Sequence, residues 1–269
     1  MKIVKFQPNP DSDARVVGYL HETTDSIPDR RERPCVVVCP GGGYTHLSDR
    51  EAEPPAMVFY AKGYQVFILY YTIGDRIGAM RPLVDASLAM IKIRENCGEW
   101  HILSDKIAVM GFSAGGHVTA CLGTLWDNPA LKEKIDTKGG LNRPNAMILC
   151  YAVLAGEGFA DWPTAYTMCG GKPTPEQIRL LSPEKQVSEK TPPAFLWHTF
   201  EDDYVPVDNT LLFATALQKN GIPFECHIFQ KGKHGMSICT EESNTPNTHN
   251  AQWVPLCMEW LGDLFNFPG

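Results

Sequence analysis

The sequence predicts an α/β fold, a mostly parallel central sheet flanked by helices, and three observations carry that reading. Short runs such as PCVVVC (34–39), QVFILYY (65–71), AMILCY (146–151) and AFLWH (194–198) are apolar without alternation, the pattern of parallel strands covered on both faces. Amphipathic helical stripes fall between them, which gives the alternation of strand and helix. A glycine-rich turn, GFSAGG at 111–116, follows directly on another apolar run, and in such sheets sites form at the carboxyl ends of strands.

The elements follow in order. MKIVKFQPNPDSDARVVGYL reads as a strand, a Pro/Asn/Asp turn and a second strand. After the runs at 34–39 and 65–71, residues Met80, Leu83, Val84, Ser87, Leu88 and Ile91 keep the i, i+3, i+4, i+7 spacing of a helix that stops near Asn96-Cys97-Gly98. Lys106–Met110 is a strand, and Ala114–Leu125 is the helix that follows it. The segment 155–191 is the longest departure from the alternation, with a helix at Thr174–Leu181 and a Ser-Pro turn; it is a short insert rather than a large lid. Asp208 is placed to cap a helix through Leu212, Ala216 and Leu217 that Asn220-Gly221 ends. Phe224–Phe229 is a further strand, and Val254, Cys257, Met258, Leu261 and Leu264 form a closing amphipathic helix. With no long polar linker, residues 1–269 are expected to be a single domain.

Composition excludes several functions. Apolar residues make up 43% of the chain and charged ones 20%, enough for a large core and for a soluble monomer or small homo-oligomer. The net charge of −7 with no basic block argues against nucleic acid and against an anionic membrane surface. No apolar run is long enough to span a bilayer, and the first residues lack a signal-peptide core, so a cytoplasmic location is expected. The nine cysteines form no C-x-x-C pair; Cys35, Cys39, Cys121, Cys150 and Cys257 sit in apolar runs, as buried free thiols in a reducing compartment do. Neither a metal site nor a cofactor is expected: the ligand spacings of a metal centre are missing, and Gly41-Gly42-Gly43 lacks the G-K-[ST] of a phosphate loop.

Gly111-Phe112-Ser113-Ala114-Gly115 fits G-x-S-x-G between a strand and a helix, where a sharp turn presents a serine hydroxyl above the sheet. Alone, such a G-x-S-x-G pentapeptide is more often a glycine-rich turn with a serine helix cap. A serine hydroxyl is a weak nucleophile near neutral pH, so it needs a base and a carboxylate that fixes the base's tautomer. Among the downstream histidines, His117 sits one turn into the helix and reads as a packing residue, His227 lies within a strand, and His249 lies in a polar segment. His234, in the loop GKHG after the last strand, is the candidate base. Glu201, Asp202 and Asp203, in WHTFEDDYVPVDN, compete for the acid. The N–H groups of Gly42, Gly43 and Ala114 are candidate oxyanion donors, after a strand and at a helix start. Tyr44, Trp162, Tyr166 and Met168 are candidate pocket residues.

With GFSAGGH, EDDYVP, GKHG and PGGGY in hand, the chain resembles the α/β-hydrolase superfamily, in particular the esterase/lipase branch of bacterial acetyl-xylan esterases and small sugar esterases. The stretches CPGGGYTHLSDREAEPPA and LLSPEKQVSEKTPPAFLWHTFEDDYVPVDNTLLFATAL extend the likeness from about Arg33 to the last helix. It implies Ser113 as nucleophile, His234 as base and Asp202, four residues before Pro206, as the acid. Where the hormone-sensitive-lipase-like group carries HGGG, this chain has Pro40-Gly41-Gly42-Gly43. The activity implied is hydrolysis of short acyl esters, acetyl above all, on small substrates such as acetylated xylo-oligosaccharides. The alternatives are an arylformamidase or peptidase on the same scaffold, and a non-catalytic ligand-binding protein, against which the complete Ser, Asp, His set argues.

Overall fold

The computed structural model describes residues 1–74, 80–156 and 171–267. Eight strands, β1 (Lys2–Phe6), β2 (Arg15–Leu20), β3 (Arg33–Cys39), β4 (Gln65–Tyr70), β5 (Ile102–Phe112), β6 (Ala146–Cys150), β7 (Ala194–Thr199) and β8 (Phe224–Phe229), form one sheet in the order β1-β2-β4-β3-β5-β6-β7-β8. The β1–β2 and β2–β4 pairs are antiparallel, and every pair from β4 to β8 is parallel. The strand order reverses between β3 and β5, so the loops leaving these neighbours diverge and open a crevice at their carboxyl ends.

Period-two geometry sorts the apolar strands onto two faces. Val36, Val38, Val66, Ile68, Met110 and Ile148 pack under helices α1 (Glu53–Ala61) and α6 (Trp253–Phe265). Val37, Phe67, Leu69 and Val109 pack under α2 (Arg81–Glu95) and α3 (Ala114–Leu125), while Leu149 and Leu196 meet α5 (Asp208–Lys219). Trp253 and Leu261 of α6 are fully buried, each side chain worth about 1.5–3 kcal/mol of transfer free energy.

Helix α4 (Pro175–Leu180) begins at Thr174, whose hydroxyl accepts from the Gln177 N–H while the Gln177 side chain accepts from the Thr174 N–H. Three elements depart from expectation. Helix α1 was hidden by Pro54-Pro55, but both lie in its first turn, where no intrahelical N–H is needed. Strand β5 starts at Ile102, four residues earlier than its apolar run, because a register irregularity against β3 between Arg33 and Cys35 absorbs the polar Ser104-Asp105-Lys106. Asp208 does not cap α5: Val207 already has helical angles, and Asp208 is the first helical residue. Next to it, Asn209 is fully buried and its Oδ1 accepts the N–H groups of Leu154 and Ala155 at 2.9 and 3.0 Å, anchoring the start of the insert.

Candidate active site

Ser113 sits in the turn from β5 to α3 at φ 52°, ψ −118°, a conformation that costs a non-glycine residue about 1–3 kcal/mol. The surroundings hold it there. Its N–H donates to the Cys150 carbonyl at 3.0 Å, and its carbonyl accepts from Val153 N–H at 3.3 Å. The flanking glycines explain the motif: a Cβ on Gly111 would lie 2.2 Å from the Gly115 carbonyl oxygen, and one on Gly115 would lie 2.1 Å from that of Cys39.

The Ser113 Oγ is 2.8 Å from His234 Nε2, and His234 Nδ1 is 2.7 Å from Asp202 Oδ2. Three residues separated by up to 121 positions in sequence therefore meet at the ends of β5, β7 and β8. Asp202 is buried, and its other oxygen accepts the N–H groups of Tyr204 and Val205 at 3.0 and 2.9 Å. Burial alone would raise its pKa. Hydrogen bonds from His198 and His234, the electrostatic attraction of the His234 ring and the Val205 N–H outweigh burial and hold the carboxyl well below the usual carboxylate range. A carboxylate only accepts, so Nδ1 of His234 carries the proton and Nε2 is left to accept from the serine hydroxyl. Glu201 and Asp203, the competing acids, are exposed; Glu201 accepts from the Gly232 N–H instead.

His198, on β7, is a second support that sequence reasoning passed over. Its ring is fully buried, with Nε2 2.8 Å from the Val205 carbonyl and 3.3 Å from Asp202 Oδ2, and Nδ1 2.7 Å from the Thr210 hydroxyl. The carbonyl fixes the proton on Nε2, so His198 braces the carboxylate and its loop together. His234 lies against the Tyr151 ring at 5.1 Å, and Tyr151 packs edge-on to Trp197, which stacks on Trp253. This aromatic column sets the height of the imidazole above the sheet.

Gly42 and Gly43 border the cleft at φ 124° and 60°, and Ala114 opens α3. Among the described residues, none of their three N–H groups is paired with a protein acceptor. Tyr44 is corrected: it is fully buried, and its hydroxyl lies 2.9 Å from His117 Nδ1, so it forms part of the wall behind the cleft rather than its surface. Trp162, Tyr166 and Met168 lie outside the described residues. The cleft, about 240 Å³, is lined by Gly42, Gly43, Ser113 and His234 together with Thr45, His46, Ser48, Arg50, Glu51, Tyr204 and Gly235. No group of three His, Cys, Asp or Glu side chains is placed to hold a metal among the described residues, and no described helix is long and apolar enough to cross a membrane.

His117 has a separate, testable consequence. Its Nε2 donates to the Leu181 carbonyl at 2.8 Å, so Nδ1 accepts from Tyr44. Burial lowers its pKa from 6.5 to about 4, against the opposing effect of the Leu181 bond. Between those values the unfolded chain binds a proton that the native ring refuses, so stability falls as pH drops through this window, by roughly 3 kcal/mol in all. Above the window the ring is neutral in both states and contributes no slope. Urea unfolding of His117→Gln, whose amide keeps both hydrogen bonds, is expected to show that slope between pH 6.5 and 4.5 reduced relative to the unaltered protein. Equal slopes would refute the burial account.

A sheet reversing at β3/β5, with a strained serine bonded through a histidine to a buried aspartate, defines an α/β-hydrolase. The chain belongs to the BD-FAE family, whose profile matches residues 26–217. It is 38% identical over 233 residues to endo-1,4-beta-xylanase B of Butyrivibrio fibrisolvens, covering 84% of this chain and 35% of that protein. It is 28% identical over 238 residues to an acetylxylan esterase of Xylanibacter ruminicola, covering 86% of this chain and 45% of that protein. The chain thus spans less than half the length of these curated relatives. A crystal structure of an acetyl ester-xyloside bifunctional hydrolase from Caldicellulosiruptor lactoaceticus superposes with a TM-score of 0.84 at 35% identity, over 98% of this chain and 92% of that one.

Proposed function

We propose that residues 1–269 form one hydrolase domain that cleaves short acyl esters, acetyl above all, from xylo-oligosaccharides or other small sugars. The observation that carries the reading is the continuous Ser113–His234–Asp202 chain of 2.8 and 2.7 Å bonds facing a small cleft. Ser113 Oγ attacks the ester carbonyl while His234 Nε2 takes its proton; the tetrahedral oxyanion is received by the N–H groups of Gly42, Gly43 and Ala114. The alcohol then leaves with the proton from His234, and water, activated by the same nitrogen, releases the acid. Asp202 keeps the proton of Nδ1 in place and stabilises the imidazolium.

The sugar-ester reading is supported by the relatives' names and by the polar lip of Thr45, His46, Ser48 and Arg50, suited to hydroxylated alcohols. The cleft's volume of about 240 Å³ suits a small acyl group better than a long chain. The buried thiols Cys35, Cys39, Cys121, Cys150 and Cys257 support action in a reducing cytoplasm on small soluble substrates. A panel of p-nitrophenyl acetate, butyrate and octanoate, peracetylated xylobiose and N-formylkynurenine tests the assignment. Expected is turnover of the acetates, falling by at least tenfold at octanoate. Preferential turnover of N-formylkynurenine would instead identify a formamidase, and no turnover of any ester would refute the hydrolase reading.

A further inference from the structure

Glu51 lies outside the Ser113–His234–Asp202 chain, yet it is 3% exposed and sits at the meeting point of three loops. Its Oε2 accepts the Gly41 N–H at 3.0 Å, at the root of the Gly41–Gly43 loop. Its Oε1 accepts the Tyr151 hydroxyl at 2.6 Å, and the Tyr151 oxygen in turn accepts the Ser237 N–H at 2.8 Å, three residues beyond His234. The Ser237 hydroxyl returns to the carbonyl of Arg50, next to Glu51, at 2.5 Å. Gly41 is close to the nucleophile: a Cβ built on it would lie 3.0 Å from Ser113 Cβ and 2.5 Å from Glu51 Oε2. Tyr151 itself is held at φ 37°, a strained angle for a non-glycine residue, while its ring supports the His234 imidazole.

Donor and acceptor counting shows why this position needs an acid. The Gly41 N–H can only donate. Burial first, and then Glu51, push the Tyr151 phenol well above its usual pKa, so it keeps its proton. Its oxygen already accepts from Ser237, leaving that proton to be donated. Both terminal atoms of Glu51 must therefore accept, as the two oxygens of a carboxylate do and as an amide, with one oxygen and one donating NH2, cannot. We propose that Glu51 is a positioning residue that holds the Gly41–Gly43 loop and the His234 loop in register with Ser113, through the Gly41 N–H and the Tyr151 hydroxyl. The proposal rests on the serine-esterase reading for its effect on rate, but its structural half stands apart from it.

The test uses Glu51→Gln and Tyr151→Phe, singly and together. Glu51→Gln sets an amide N–H against one of two donors, displacing a loop, and displacements of this kind cost up to about a hundredfold in rate. Expected for Glu51→Gln is a tenfold to hundredfold loss of kcat on p-nitrophenyl acetate with KM within about twofold, and a trifluoromethyl ketone inhibitor weakened by the same factor as kcat/KM. Because both residues act through one network, the double variant is expected to lose no more than the worse single one. Amide hydrogen exchange without substrate is expected to quicken both in 40–46 and in 235–238, segments far apart in sequence, and to leave β5 and β6 unchanged. That readout judges the positioning role even if the chain hydrolyses no ester. Should Glu51→Gln fail to fold, Tyr151→Phe, which keeps the ring packing, carries the same exchange and kinetic test. Losses that multiply, a change in KM alone, or exchange confined to one loop would overturn the proposal.

Discussion

Ser113→Ala is expected to lower kcat for p-nitrophenyl acetate by a factor on the order of 10⁶, the scale of loss when the nucleophile of a serine hydrolase is removed. The same change is expected to cost less than about 1 kcal/mol of stability. The reason is local: among the described residues the hydroxyl bonds only to His234, whereas the backbone bonds to Cys150 and Val153 and the strained φ of 52° are unaffected by losing an oxygen. Alanine keeps the Cβ that fits the turn, so the glycine contacts around it remain. Parallel kcat measurements and thermal melts of the two proteins check both halves. An organophosphate adduct mapped by peptide mass spectrometry to any serine other than Ser113, or turnover retained by the alanine variant, would remove Ser113 as nucleophile.

What could be read from the sequence and what could not divides along physical lines. The positions of Ser113 and His234 were legible because each is announced by local chain geometry, a strand entering a glycine-flanked turn, and the structure brings the two together. The strands were legible because burial on two faces demands unbroken apolar runs. Glu51 was not, for SDREAEPP looks like a solvated turn, and only the fold carries Tyr151, 100 residues away, to its carboxylate. His198 was hidden in the same way: a histidine ending an apolar strand gives no sign that it faces Asp202 from beneath. Tyr44 shows the opposite failure. An aromatic beside a glycine loop suggests a pocket wall, but its own positive φ of 62° turns the ring inward onto His117, and no one-dimensional pattern encodes that turn.

The choice among Glu201, Asp202 and Asp203 is decided by replacing each with its amide. In Asp202→Asn the carbonyl oxygen is required by the N–H groups of Tyr204 and Val205, which leaves the amide nitrogen facing His234. Nδ1 must then become an acceptor, the proton moves to Nε2, and that nitrogen can no longer take the serine's proton. His198 does not follow, because the Val205 carbonyl holds its Nε2 proton regardless. A loss of kcat on the order of 10⁴ is expected at saturating substrate, where binding effects are largely removed. Asp203→Asn and Glu201→Gln are expected to stay within about threefold, since both side chains are exposed and neither meets the imidazole. A full loss at Asp203 with near-normal rates for Asp202→Asn would transfer the acid's role one residue along the loop and leave Ser113 and His234 where they stand.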